Sequence, residues 1–299
     1  APAWPTAPTT HISDVAPPWK LSIEVSATEQ SIWPQPPVGK VDVAWSEEGG
    51  CPVVEIRGGP EPAVGRFVLD WERRRIDVRH SADDRTGVLE IVNRWLLPII
   101  ARSELGAVPL HGTCVATPYG RIVIVGESGR GKSSLTAALV VGGASIVGDE
   151  PTCVIAGAEG PRALDGVGLL RIDQATADRL GVTTCPDTAA IEGFDDHSDK
   201  LAIASTQPNE QPDRLLAVVI LAEREPELVS LRVERLKPSH AFRELFEHRY
   251  SRPTLPHNVR ADFVHLAPVV SGVLVVRASF PDDLDALPAA AAGLVGALA

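Results

Sequence analysis

The chain has 299 residues, room for one large domain or two ordinary ones, and with 44% hydrophobic and 22% charged residues it can bury a sizeable core. A net charge of −11 disfavours a nucleic acid or an anionic membrane as partner, because both select a basic face. No stretch reaches the roughly 18 apolar residues of a membrane span, and Ala1 to Thr10 lack the basic and apolar regions of a signal peptide, so a cytoplasmic protein is expected.

The sequence contains no Met, and Ala1 is expected to follow a removed initiator. Cys51, Cys114, Cys153 and Cys185 lie far apart, without zinc-site spacing, and are expected to be single buried thiols in a reducing compartment. Residues 1–20 carry Pro2, Pro5, Pro8, Pro17 and Pro18 and predict an extended arm. From 21 to 87 the pattern has period two: Leu21–Val25, Val41–Trp45, Val53–Arg57, Arg66–Asp70 and Arg75–Arg79 alternate apolar and polar residues. Gly and Pro clusters separate these runs. The expectation is a small antiparallel domain with one apolar face and one solvated face.

A second domain is expected over 88–299. It opens with Val88–Ile100, apolar at helical spacing, with Pro98 as a kink or break. Pro109–Ala116 predicts a strand, and Thr117–Gly120 a turn. The strand Ile122–Val125 then runs into Gly126-Glu127-Ser128-Gly129-Arg130-Gly131-Lys132-Ser133, followed by Ser134 and a helical stretch over Leu135–Val140. This is G-x-x-x-x-G-K-S between a strand and a helix, the phosphate-binding loop of Walker A type. Its glycines let successive backbone N–H groups turn toward phosphate oxygens, and the helix start adds its positive end. Lys132 suits the β- and γ-phosphates, and the Ser133 hydroxyl suits Mg²⁺. The bland alternative is a glycine-rich turn that binds nothing.

Gly142-Gly143 closes that helix, and Ala144–Val147 predicts a strand ending in Gly148-Asp149-Glu150. Further strands are expected at Thr152–Ala156 and Lys200–Ala204, with a helix near Asp173–Leu180 capped by Asp173. Leu215–Leu221 is a continuous apolar run, as in a strand buried on both faces, and Leu228–Leu236 is expected to pair with it. Pro238–Tyr250 predicts a helix, Ser271–Ala278 a strand and Asp282–Ala299 an Ala-rich helix.

His111-Gly112, the hairpin, the loop at 126–133 and the acidic pair at 149–150 together resemble HPr kinase/phosphorylase. With Leu96-Leu97-Pro98 and Pro109-Leu110-His111, they look more closely like the HPr-kinase-like proteins found with lasso-peptide and other peptide-biosynthesis genes. The resemblance covers roughly 88–299. It implies an α/β fold with a mixed sheet, shared with ATP-dependent phosphoenolpyruvate carboxykinase, beside the β-rich N-terminal domain. It also implies phosphoryl transfer to a serine hydroxyl, with ATP and Mg²⁺. The family's second Asp is Glu150 here, and the C-terminal motif that engages HPr is not evident, so an acceptor other than HPr is expected.

Asp149 is the first candidate for catalysis, as general base, Mg²⁺ ligand or both. The alternative is an Asp that caps a turn. Glu150 is a second candidate metal ligand beside Ser133. By the resemblance, His111 lies beside the Asp and tunes it; a lone His on a half-buried strand is otherwise a hydrogen-bonded core residue. Arg130 is expected to point out of the loop. Arg243, Arg249 and Arg252 could bind phosphate but are read as a solvated helix face, and Asp195, Asp196 and His197 suggest a metal by residue type only and are read as a polar loop.

The leading expectation is a kinase acting on a Ser of a peptide or protein. A kinase for a small-molecule alcohol or amino acid is the second, and a nucleotide-binding regulator without transfer chemistry is the third. A homo-oligomer is compatible with each.

Overall fold

The computed structural model describes residues 20–25, 41–48, 51–58, 64–80, 94, 96–166, 168–182, 200–204, 212–223, 225, 227–250 and 256–299. Residues 1–19 of the expected arm, the stretch with Asp195, Asp196 and His197, and also Cys185 and Arg252, lie outside them. The chain divides into two compact units, one built on strands between Lys20 and His80, the other on elements from Leu97 onward.

The first unit is a five-stranded sheet of β1 (Lys20–Val25), β2 (Val41–Glu48), β3 (Cys51–Gly58), β4 (Val64–Asp70) and β5 (Arg75–His80), in the order β1-β5-β4-β3-β2. Its neighbours are antiparallel except β1 and β5, which run parallel, a departure from the all-antiparallel expectation. Period two explains the burial. Phe67 lies opposite Val78, and Leu69 opposite Ile76, and all four are buried.

The second unit contains α1 (Leu97–Leu105), β6 (Val108–Leu110), β7 (Gly112–Thr117), β8 (Gly120–Val125), α2 (Lys132–Val141) and β9 (Ser145–Gly148). There follow β10 (Thr152–Gly157), β11 (Gly160–Ala163), β12 (Leu169–Asp173), α3 (Gln174–Leu180), β13 (Lys200–Ala204) and β14 (Leu215–Leu221). The chain ends with β15 (Arg232–Arg235), α4 (Pro238–Glu247), α5 (Pro256–Gly272), β16 (Leu274–Ser279) and α6 (Leu287–Leu298). It is a mixed α/β unit around a six-stranded sheet of order β15-β16-β14-β8-β7-β9.

The unbroken apolar runs of β8 and β14 are explained by helices on both faces. Ile122, Ile124 and Val219 pack with Leu135 of α2, Ala177 of α3 and Leu294 of α6. The alternate residues Val123, Val125, Val218 and Ile220 pack with Leu245 of α4 and Leu266 and Val269 of α5. Asp173 caps α3 as expected, accepting from the Thr176 N–H at 2.8 Å. Among the described residues no helix is long and apolar enough to cross a membrane. Burial pushes the Cys114 and Cys153 thiols up to about 12, so neither is a ready nucleophile at neutral pH.

Four expectations need correction. Pro98 sits in the first turn of α1 and starts that helix rather than breaking it, as suits a residue with no N–H to donate. The single strand expected over Pro109–Ala116 is two, β6 and β7, with His111 at the bend between them; β6 pairs with β10 in a separate three-stranded sheet. Gly112, next to the bend, allows β7 to lie close against β8, because a Cβ there would stand 2.5 Å from the Ile124 carbonyl oxygen. β15 pairs with β16, not β14, because β14 already has β8 and β16 on its two sides. Ser271 belongs to α5, a helix whose period is obscured by Pro268 and by the exposed Phe263 and Val264.

A buried ion pair joins α1 to α5. Arg102 Nε donates to Asp262 Oδ1 at 3.0 Å and Nη2 to Oδ2 at 3.2 Å, while Nη2 also donates to the Tyr250 carbonyl at 2.5 Å. The two side chains are only 5% and 2% exposed, so removing one partner strands a buried charge. Asp262→Ala is expected to cost about 3–5 kcal/mol, read as a fall in the urea midpoint. An unchanged midpoint would show that water reaches this pair.

Candidate functional site

Strand direction brings the candidate residues together. β8 is antiparallel to β7, and β7 is antiparallel to β9, so β9 runs in the direction of β8. The C-terminal ends of β8 and β9 therefore lie at one sheet edge, with the start of β7 between them. The phosphate loop leaves β8 at that edge, Asp149 and Glu150 follow β9, and His111 precedes β7. This is the edge at which open α/β sheets bind ligands.

Gly129 and Gly131 have φ of 80° and 93°, left-handed values that favour glycine. Gly131 is the N-cap of α2, and among the described residues no side chain caps that helix. Among them the first N–H groups have no side-chain acceptor, which fits a site for an anion such as a polyphosphate. Glu127, Ser128 and Gly129 form the exposed tip, while Ser133 and Ser134 are half-buried in the first turn of α2. Arg130 is held by two carboxylates: its Nη2 meets Glu127 Oε2 at 2.9 Å and Glu223 Oε1 at 2.8 Å. Helix α2 is tied to the sheet through Thr136, whose Oγ1 donates to the Lys132 carbonyl at 2.8 Å and lies 2.5 Å from Thr113 Oγ1 on β7.

Lys132 is 7% exposed and folds back over its own loop. Its ammonium donates to the carbonyls of Gly126 at 2.9 Å and Glu127 at 3.3 Å, and stands 3.4 Å from Glu150 Oε1. The same Glu150 oxygen is 2.9 Å from His111 Nε2. Burial alone would raise the Glu150 carboxyl. The His111 hydrogen bond, then the charges of His111, Lys132 and Arg94, outweigh burial and bring it down to about 2.

Asp149 Oδ2 accepts from the Arg171 N–H of β12 at 3.1 Å, which orients its carboxylate. The structure thus brings His111, Lys132 and Glu150 into one contact chain and ties Asp149 to β12. The resemblance implies His111 beside Asp149; in the structure His111 Nε2 meets Glu150 Oε1. Among the described residues no three His, Cys, Asp or Glu gather as a metal cluster. A Mg²⁺ ion needs only one or two carboxylates with substrate phosphates and water, so Ser133, Asp149 and Glu150 remain chemically suitable ligands.

One further residue belongs to this neighbourhood. The segment after α4 lies antiparallel to β6, bridging Leu110 and Arg249. The His111 N–H donates to the His248 carbonyl at 2.8 Å, the Tyr250 N–H donates to the Pro109 carbonyl at 2.7 Å, and the Tyr250 ring stacks on His111 at 6.5 Å. His248 is half-buried. Burial, then the Lys132 charge and His111, lower its pKa against smaller opposing effects of Glu127 and Glu244, so its neutral form is favoured. Arg249 stacks on Phe246, its Cζ 4.2 Å from the ring centre, and is not simply part of a solvated face. No local pattern announces His248, because its placement depends on pairing across more than a hundred residues.

No family model matches the chain, and no curated protein matches it. Among solved structures, the chain is similar to the Hpr(Ser) kinase/phosphatase from Coxiella burnetii, at 15% identity and a TM-score of 0.32, over 63% of this chain and 94% of that one.

The depressed Glu150 carboxyl has a pH signature. Its folded value of about 2 lies below the ordinary 4.5, so its contribution to stability is complete above pH 4.5 and is lost as pH falls toward 2. Wild type is expected to exceed Glu150→Gln in urea midpoint by a margin that narrows across that window. A margin independent of pH would contradict the pairing.

Proposed function

We propose that the protein transfers a phosphoryl group from ATP, with Mg²⁺, to a hydroxyl group, Ser on a peptide or protein. The observation that carries this reading is an uncapped helix start and glycine loop beside Lys132, at the sheet edge that also holds Asp149 and Glu150. ATP is the substrate whose triphosphate the loop N–H groups and Lys132 would bind. Bound Mg²⁺ would supply positive charge against the phosphate oxygens, with Ser133, Asp149 and Glu150 as its protein ligands.

Transfer forms a bond between the acceptor oxygen and the γ-phosphorus and breaks the bond from that phosphorus to the β–γ bridging oxygen. ADP leaves with the electron pair, and the hydroxyl proton passes to the Asp149 carboxylate. Lys132 has a second task. It must exchange its contacts with the Gly126 and Glu127 carbonyls for phosphate oxygens, and Glu150 lies near enough to follow it. His111 positions Glu150, and Tyr250 and the 248–250 segment support His111.

A nucleotide-binding regulator without transfer chemistry is the second reading. It is favoured by one feature: Lys132 and Glu150 already pair, and His111 shares the same carboxylate oxygen.

The test is phosphate flow from MgATP to Ser-containing peptides, followed by mass spectrometry. Wild type is expected to add one phosphoryl group. Asp149→Asn should slow transfer by roughly 100-fold to 10,000-fold while ATP still binds. Lys132→Ala should weaken ATP binding by about tenfold or more, as expected for losing a charge-assisted contact. Tight ATP binding with no transfer to any peptide or small alcohol would favour the regulator. Unchanged turnover in Asp149→Asn would remove Asp149 as the base.

A further inference from the structure

Three of the chain's six phenylalanines meet on α4 and α5. Phe242 and Phe246, one turn apart on α4, stack at 5.9 Å, and Phe263 of α5 meets them edge-on at 4.9 and 5.6 Å. The two α4 rings pack against the core on that face of the sheet. Phe263 is instead 54% exposed, and the adjacent Val264 57%. Single exposed apolar residues are ordinary, but an exposed ring set on two others marks a contact surface.

The rim of this patch is basic, in a chain of net charge −11. Arg243 lies three residues before Phe246, and Arg260 three before Phe263; that spacing places each beside its ring on the helix surface, and both are exposed. Arg249 closes one side, with its Cζ 4.2 Å above the Phe246 ring and its Nη1 donating to the Phe246 carbonyl at 2.8 Å. Of the acidic residues on these helices, Glu244 pairs with Arg277 and Asp262 with Arg102. The third, Glu247, does not outweigh the arginines. The patch also leads to the phosphate site. Two residues beyond Phe246, the His248 carbonyl accepts from the His111 N–H at 2.8 Å, and His111 meets Glu150 at 2.9 Å.

Resting on the kinase reading above, we infer that this aromatic, basic face holds the acceptor peptide, through a segment in which a large apolar side chain adjoins an Asp or Glu. The apolar side chain covers Phe263 and Val264, and the carboxylate meets Arg243 or Arg260. The path from Phe246 through His248 and His111 to Glu150 is on the order of 20 Å, so the acceptor Ser lies about six extended residues from the anchor. A peptide fits the size of the patch. The exposed parts of Phe263 and Val264 amount to on the order of 200 Å², against about 800 Å² per partner in a stable dimer.

The test uses synthetic 15-residue peptides with one Ser and random flanks, captured on the immobilised full chain and sequenced. Captured peptides are expected to be enriched in an aromatic or large aliphatic residue beside Asp or Glu, about six residues from Ser. A fluorescent peptide of the enriched sequence should bind Phe263→Ala and Arg243→Glu roughly tenfold or more weakly than wild type, while both variants bind MgATP as wild type does. With MgATP, the KM for that peptide should rise in both variants and kcat should stay unchanged. Should Phe263→Ala lose MgATP binding, Arg243→Glu decides, since its side chain is exposed. Flanks without this enrichment, or an affinity that survives Arg243→Glu, would overturn the docking face. Sedimentation showing a wild-type dimer that Phe263→Ala dissociates would give the face to a second copy of the chain and overturn it equally. Peptides that dock as described but never gain a phosphoryl group would overturn the kinase reading and leave the docking face standing.

Discussion

A single antiparallel strand, β7, sets the geometry on which the site depends. It lies between β8 and β9 and forces them to run the same way, so two strand ends open at one edge. Had β9 paired directly with β8 in antiparallel fashion, Asp149 and Glu150 would emerge at the opposite edge, a full strand length from the loop. The hairpin is held by ordinary means. Thr117 Oγ1 donates to the Gly120 carbonyl at 2.7 Å in its turn, and both strands are wholly buried. Burial on both faces fixes register strongly, since a one-residue slip would exchange the residues packed against α2 and α6 with those packed against α4 and α5.

The electrostatics at this edge show opposite charges satisfying one another within a loop suited to anions. Lys132 rests on its own loop carbonyls and near Glu150, and Glu150 also holds His111. These contacts compensate a buried ammonium that would otherwise be costly. They also define what a bound polyphosphate would displace: a lysine that left two carbonyls for phosphate oxygens would keep a charge-assisted bond. The carboxylate's pairing with His111, backed by Tyr250, can persist during that exchange. Asp149 accepts from the Arg171 N–H, which ties it to β12.

Much of this was legible in the chain. The period-two runs marked the strands of the first unit, the apolar runs at 122–125 and 215–221 marked strands covered on both faces, and the glycine loop marked its own position at a strand-to-helix junction. These signals are local, which is why they survive in a single sequence. The strand pairings that the sequence does not show are non-local. The parallel pairing of β1 with β5, the choice of β16 over β14 as partner for β15, and the approach of His248 to His111 depend on contacts between distant segments. The split at His111 is hidden in the sequence because the residues on each side of it suit a strand, and it shows only in the separate partners of β6 and β7. Pro98 is ambiguous in the sequence because a proline within an apolar helical pattern looks the same whether it breaks a helix or begins one.

The most direct measurement is amide hydrogen exchange across residues 126–134 with and without saturating MgATP. Backbone N–H groups that close around a triphosphate should slow markedly there, with smaller protection near Asp149 and Glu150. Exchange in the loop that stays unchanged at saturating nucleotide would contradict phosphate binding by these amides, and with it the proposed phosphoryl transfer.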